Sequence, residues 1–157
     1  MRQVFFFILS SLLVLGCSKE TTVELVKFTD TGCSRESVAS STKADYVSES
    51  QLILKYSPEG LEVIRTNAML NCSINKGGIS CNVSCEGNVI SFHAYETDGP
   101  IMKCLCPVDN MSSVVAGLSL GNEYVLDYKC GNDTFIPISF TYSKDLQMVL
   151  DAGLYKL

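Results

Sequence analysis

From Gln51 onward the chain alternates apolar and polar residues with a period of two, and turn residues break the pattern about every eight to twelve positions. A segment of that period buries one face only, so this is the feature that most restricts the fold. Gln51–Tyr56 leads into the turn Ser57-Pro58-Glu59-Gly60, and Leu61–Arg65 follows. Ala68, Leu70, Cys72 and Ile74 share one phase that ends at Asn75-Lys76-Gly77-Gly78. Ile79, Cys81, Val83 and Cys85 alternate with Ser80, Asn82, Ser84 and Glu86, and Glu86-Gly87-Asn88 turns into Val89–Tyr95. After Thr97-Asp98-Gly99-Pro100, the residues Met102, Cys104 and Cys106 are in phase. Tyr124, Leu126, Tyr128 and Cys130 oppose Val125, Asp127 and Lys129, and Gly131-Asn132-Asp133 forms a hairpin into Ile136, Ile138, Phe140 and Tyr142. Short strands of this kind close a core by stacking sheets, which predicts an all-β, antiparallel β-sandwich of Ig-like character. Only Lys144–Leu154 has helical spacing, with Leu146, Val149 and Leu150 on one face, so a short C-terminal helix is expected there.

The first 50 residues are different. Arg2 precedes Val4-Phe5-Phe6-Phe7-Ile8-Leu9 and Leu12-Leu13-Val14-Leu15, a basic start and an apolar run too short for a comfortable membrane span. The run ends in Gly16-Cys17 and resembles a bacterial lipoprotein signal peptide. That resemblance implies removal of residues 1–16 and diacylglyceryl on the sulfur of Cys17, the lipid-attachment residue, with a further acyl chain on its amine. Each buried methylene contributes roughly 0.8 kcal/mol, so two or three chains hold a domain on a bilayer. The expected address is the bacterial cell envelope, at the outer membrane, on its periplasmic or surface face. Residues 17–50 read as the lipidated N-terminus and a polar tether holding one early strand at Thr22–Phe28. Residues 51–157 read as the sandwich domain.

Export sets how the eight cysteines are read, because thiols outside the cytosol tend to oxidise. Cys72, Cys81, Cys85, Cys104, Cys106 and Cys130 each fall on the apolar phase of a strand and are the disulfide candidates. Cys81 and Cys85 on one extended strand lie roughly 13 Å apart and should not pair with each other. Cys104 and Cys106 are too close in sequence for an easy bridge. Without Cys17, seven cysteines remain of the eight, so at most three bridges form and one thiol is left over. Cys72 is expected to pair with Cys104 or Cys106, and Cys33, in the tether, is the candidate free thiol or late bridge. The rival reading is a metal site, four thiolates for zinc, or Cys-x-Cys with Met69, Met102 and Met111 for Cu(I). Its spacings match no recognised zinc-knuckle pair, and structural disulfides or buried thiols are preferred. No Cys-x-x-Cys opens a helix as redox exchange of the thioredoxin kind requires.

Other chemistry is sparse. The net charge is −5, from 12 basic and 17 acidic residues, and loss of Arg2 with the signal makes it 11 against 17. Such a balance argues against nucleic acid as a partner. Charged residues at 18% and hydrophobics at 46% exclude a disordered chain. Ser91, the single histidine His93, and Tyr95 share the polar face of their strand, either a binding strip or a solvated face. No nucleophile elbow accompanies that histidine, no carboxylates pair at useful spacing, and Lys76-Gly77-Gly78 is a hairpin turn, not a phosphate cradle. No catalytic residue, no metal ligand and no cofactor is therefore assigned. The Asn-x-Ser/Thr sites at Asn71, Asn82, Asn110 and Asn132 are read as chance in a lipoprotein.

Gly117-Leu118 and Gly121-Asn122-Glu123-Tyr124 precede a strand in the manner of modules whose tyrosine packs at a sandwich corner. Together with Gly60-Leu61-Glu62-Val63, Asn71-Cys72, Asn88-Val89-Ile90 and Cys104-Leu105-Cys106-Pro107-Val108-Asp109, these residues resemble a group of uncharacterised, Bacteroidetes-like secreted lipoproteins. The shared features are an Asn-Cys strand, a Cys-x-Cys-x-x-Asp strand and a closing Gly-x-x-Tyr strand, over about residues 51–130. This chain departs from them at Ala94, where many have an acidic residue nearby. The resemblance implies fold and address, not an activity. The expectation is a non-enzymatic binding or structural module with a protein or glycan ligand. The alternatives are a cysteine-based metal-binding or thiol-redox envelope protein, and an envelope protease inhibitor.

Overall fold

The computed structural model describes residues 22–33, 50–97 and 104–155. The expectations for residues 1–16, Cys17 and Met102, and for the turn after Thr97, fall outside the described residues. The strands are β1 (Glu24–Asp30), β2 (Gln51–Ser57), β3 (Gly60–Asn71), β4 (Ile79–Glu86), β5 (Val89–Glu96), β6 (Leu105–Ala116), β7 (Glu123–Cys130), β8 (Asp133–Thr134), β9 (Ile138–Thr141) and β10 (Gln147–Asp151). One sheet runs β1-β6-β3-β2-β10; the other runs β4-β5-β7-β8, with β9 also on β7. The two pack together as the all-β sandwich that the alternation foretells. Their order is not the A-B-E-D against C-F-G arrangement of an immunoglobulin domain, so the expectation holds at the level of the sandwich.

One pairing is parallel, β5 with β7. Parallel neighbours need a crossover between them, and here the crossover is β6, which lies in the opposite sheet. The core is made of the inward phases: Leu52, Leu54, Leu61, Val63 and Val115 from the first sheet meet Ile90, Phe92, Leu126 and Tyr128 from the second. Phe92 stacks on Tyr128 with ring centres 5.1 Å apart, and Tyr128 meets Phe135 edge-on at 5.2 Å. Tyr124 is buried, and its Oη accepts a hydrogen bond from the backbone N–H of Ser119 at 3.0 Å, the corner role expected of it.

Several local expectations are corrected. The apolar runs Leu61–Arg65 and Ala68–Leu70 are one strand of 12 residues, β3. Its inward face passes from Leu61, Val63 and Arg65 to Ala68 and Leu70, and the change falls at Asn67, whose φ is 49°. Its neighbour β6 changes face at the matching point, from Met111, Ser113 and Val115 to Val108 and Cys106, while Thr66↔Asn110 and Ala68↔Val108 keep one register. Part-buried carbonyls lie beside the reversal, and Arg65 answers them. Arg65 is 5% exposed; its Nη1 donates to Thr66 O at 2.7 Å, to Gln51 O at 3.3 Å and to Ser50 Oγ. Ser50 Oγ in turn donates to Thr66 O at 3.1 Å and Asn67 O at 3.2 Å.

The early strand has the expected length but lies two residues later, at Glu24–Asp30, and it is anchored as a tether is not. β1 pairs with β6 from Glu24↔Ala116 to Asp30↔Met111, so part of the 17–50 stretch belongs to the sandwich. The Asp30 carboxylate accepts from Gly32 N at 2.9 Å and Gly77 N at 3.0 Å, tying the end of β1 to the turn before β4. Gly32, at φ 70°, lies so close to the backbone of Asn75 and Lys76 that a Cβ has no room. At the other end, Gln147–Asp151 is a strand on β2 and not a helix, and the helix α1 is only Ala152–Tyr155. The edge of β2 offers hydrogen bonds that outweigh the helical spacing, and the Asp151 carboxylate accepts from Gly153 N to start the one turn that remains. Ile136 is exposed, and Phe135 takes its place in the core.

Arg65→Ala is expected to lower the unfolding free energy by about 2–4 kcal/mol, since it leaves part-buried carbonyls unsatisfied and opens a void. Asp30→Ala should cost about 1.5–3 kcal/mol for the loss of hydrogen bonds to a charged acceptor. Urea denaturation of the two variants against the parent chain measures both.

Candidate functional site

The cysteines sort by register. Leu70↔Cys106 and Asn71↔Leu105 are paired across β3 and β6, so the next step brings Cys72 opposite Cys104. These two are bonded, with Cα atoms 5.6 Å apart, and Cys72 N donates to Cys104 O at 3.3 Å. Of the two partners expected for Cys72, register selects Cys104. Of the two readings of Cys33, free thiol or late bridge, the bridge is the one observed: it bonds to Cys106, with Cα atoms 5.8 Å apart. The reason is β1, which continues past Asp30 and delivers Cys33 to a bridge with Val108, two residues from Cys106. Cys104 does not point inward as its phase suggested; it lies exposed just before β6 starts.

The other disulfide candidates, Cys81, Cys85 and Cys130, are free thiols. Cys81 pairs with Ala94 and Ala94 with Cys130, so the two sulfurs lie on one face with a whole strand between them. Two strand spacings make about 9–10 Å between their Cα atoms, beyond the roughly 7 Å a bridge tolerates. Burial pushes the Cys81 thiol up to about 12. Burial also raises Cys130 to about 11, although the Arg65 guanidinium pulls the other way. Cys85 is raised by burial as well. At neutral pH these groups hold their protons, and a protonated thiol is a poor nucleophile and a poor metal ligand. Among the described residues, no three His, Cys, Asp or Glu side chains group as a metal site.

The outer face of the second sheet is organised differently. Ser91 and His93 are exposed and Tyr95 is half-buried, as the phase of β5 requires. The His93 and Tyr95 rings lie 5.4 Å apart. Register adds four residues that the linear sequence did not group with them. His93 stands between Asn82 on β4 and Lys129 on β7, and Ser91 stands between Ser84 and Asp127. The result is two rows of three polar side chains across three strands, over a shallow groove of about 280 Å³. Amide, hydroxyl, imidazole, carboxylate and ammonium groups offer donors and acceptors side by side on a rigid backbone. The alternation of β7 already placed Asp127 and Lys129 outward; the missing signal was the parallel β5–β7 neighbourhood.

A second hollow, of about 400 Å³, opens at the Cys72–Cys104 end of the sandwich. Met69, Leu70 and Leu105 make its apolar lining, and Glu96 and Asp133 its acidic one. Glu96 Oε1 accepts from Asn71 N at 2.8 Å, which joins the two sheets there.

Iodoacetamide should leave Cys33, Cys72, Cys104 and Cys106 unmodified and alkylate Cys81, Cys85 and Cys130 slowly at pH 7.5, at least tenfold slower than in urea. Each thiol reacts through its thiolate, so the native rates should rise as pH climbs toward the raised values of about 11 and about 12. The same shifts make stability fall on the alkaline side: the unfolded thiols ionise above 9.0 while the folded ones stay protonated. Peptide mapping of the alkylated chain reads the first effect and urea titrations at pH 8 and 10.5 the second.

No family model, curated protein or solved structure matches this chain.

Proposed function

We propose that this protein is a lipid-anchored module of the bacterial cell envelope that binds and does not catalyse, and that the outer face of β4, β5 and β7 takes a hydroxyl-rich glycan. The observation that carries the reading is the double row Asn82, His93, Lys129 and Ser84, Ser91, Asp127. Sugar hydroxyls are both donors and acceptors, and they are met best by mixed polar groups held at fixed spacing, so that little ordering entropy is lost on binding. Strand spacing supplies that regularity. The half-buried Tyr95 ring beside His93 adds an apolar surface for a sugar face. The basic start, the short apolar run and Gly16-Cys17 support the anchor, and two disulfides agree with an oxidising compartment.

The full-length protein, purified in mild detergent, should be retained on immobilised cell-envelope polysaccharide. His93→Ala with Lys129→Ala should weaken retention at least tenfold while the thermal midpoint stays within 2 °C, on the order expected for exposed substitutions. Retention unchanged by the double substitution removes the glycan reading, and turnover of any substrate that depends on His93 removes the non-catalytic one. Cys17→Ala should move the protein from the membrane fraction to the soluble fraction, and a mature product without acyl mass on Cys17 removes the anchor.

A further inference from the structure

Among the described strands, β4 gives the second sheet its longest unpaired edge, and β10, at the edge of the first sheet, has five residues to its eight. Native sheets guard their edges with lysine, proline, bulges or short strands, because unpaired N–H and C=O groups invite another chain. β1 has a bulge between Leu25 and Lys27 and charged residues along its length. β8 and β9 are two and four residues long. β4 has eight residues in unbroken register with β5, no proline, no lysine or arginine, and its only charge is Glu86 at its end. Among the described residues no strand hydrogen-bonds to its outer side, although β1 of the first sheet comes close to β4 without pairing with it.

The direction of the free groups follows from β5. Thr97 N donates to Gly78 O at 3.0 Å, so even-numbered residues exchange hydrogen bonds with β5. The N–H and C=O groups of Ile79, Cys81, Val83 and Cys85 therefore face outward from the edge. An antiparallel neighbour must present groups of the same parity, which a second copy of β4 does. With a two-fold axis at Val83, Val83 meets Val83 of the second copy, and Cys81 meets Cys85 of the second copy twice over. Residues opposite each other in such a hydrogen-bonded pair have Cα atoms about 5.5 Å apart, within the range for a disulfide. Cys-x3-Cys is self-complementary in this register and in no neighbouring one of the same parity.

We propose that two copies of this chain join edge to edge through β4, in antiparallel register centred on Val83, with Cys81 of each opposite Cys85 of the other. The dimer forms one continuous sheet from the second sheets of both copies. On its outer face Asn82 lies opposite Ser84 of the second copy, so the polar rows run on across the junction. The pairing rests on the β4 edge alone and stands whether or not those rows bind glycan.

Glutathione disulfide at pH 9 is the reporter. The Cys81 thiolate attacks it and releases one glutathione; the Cys85 thiol of the second copy displaces the other. One glutathione disulfide bond breaks, one protein disulfide forms, and the two thiol protons leave with two glutathiones. All chains are full-length and carry Cys17→Ser, so that the front-end thiol cannot bridge copies. The parent chain should form a disulfide-linked dimer. Cys81→Ser alone and Cys85→Ser alone should not, because each leaves its thiol opposite a serine. Mixed under reducing conditions and then oxidised, the two variants should give at least ten times more linked dimer than either alone. A parent chain that stays monomeric once its thiols have reacted overturns the proposal. So does equal linkage in either variant by itself, or a mixture that links no better than its components.

Discussion

The structure depends on the face reversal shared by β3 and β6, and that reversal depends on a buried guanidinium. A strand that changes which face it buries must break its alternation somewhere, and the break leaves carbonyls pointing where no ladder partner exists. Arg65 Nη1 reaches three oxygens there, and Ser50 Oγ shares Thr66 O with it and donates to Asn67 O as well. The cation is itself enclosed: it lies 5.4 Å from the centre of the Phe135 ring, and among the described residues its Nε finds no hydrogen-bond partner. Burying a charge is costly, and what offsets it here is the hydrogen bonding of the part-buried Gln51 and Thr66 carbonyls beside the joint between the two longest strands.

The disulfides belong to the same problem. Beyond the reversal, β3 and β6 share only Ala68–Asn71 against Leu105–Val108, a ladder too short to hold alone. Cys72–Cys104 closes its far end, and Cys33–Cys106 binds the continuation of β1 to the same strand. Their sequence separations, 32 and 73 residues, make both effective constraints on the unfolded chain, each about 4 kcal/mol on loop-entropy grounds if it acted alone. The second sheet has no bridge. Its order comes from the aromatic cluster Phe92, Tyr128 and Phe135, and within one chain the strand between Cys81 and Cys130 keeps those two thiols from bonding to each other.

What the sequence disclosed follows the same division. β5 and β7 alternate without interruption, and their buried residues Ile90, Phe92, Ala94, Tyr124, Leu126, Tyr128 and Cys130 could be read directly. The central strand β6 could not, because Asp109, Asn110, Ser112 and Ser113 look like turn residues and the inward phase shifts between Val108 and Met111. Both features belong to the reversal, which needs a partner strand with the same defect and so has no local signature. The partner of Cys33 is hidden for a related reason: its neighbours are polar, and only the pairing of β1 with β6 brings it to Cys106. Ser91, His93 and Tyr95 were legible as one face of one strand, but the companions on β4 and β7 depend on which strands are neighbours. Alternation identifies the face of a residue; topology alone identifies who shares it.

That distinction bears on how the outer rows hold their geometry without loops. His93 is flanked in sequence by Phe92 and Ala94, both sunk in the core, and Asp127 by Leu126 and Tyr128. Each exposed polar side chain thus stands on backbone whose neighbours are locked by packing, and a strand cannot rotate His93 without lifting Phe92 off Tyr128. The alternation that builds the core is therefore also what positions the surface. A sandwich with a loose second core would present the same residues at variable spacing and lose the advantage of a prearranged face. Ala94 fits this view: the smallest side chain of its row lies between Cys81 and Cys130, and a larger or charged one would have to find room and partners among two thiols and the Arg65 cation. In this chain the position is occupied by the residue that lets β5 lie flat, and the chemistry is kept to the side that faces out.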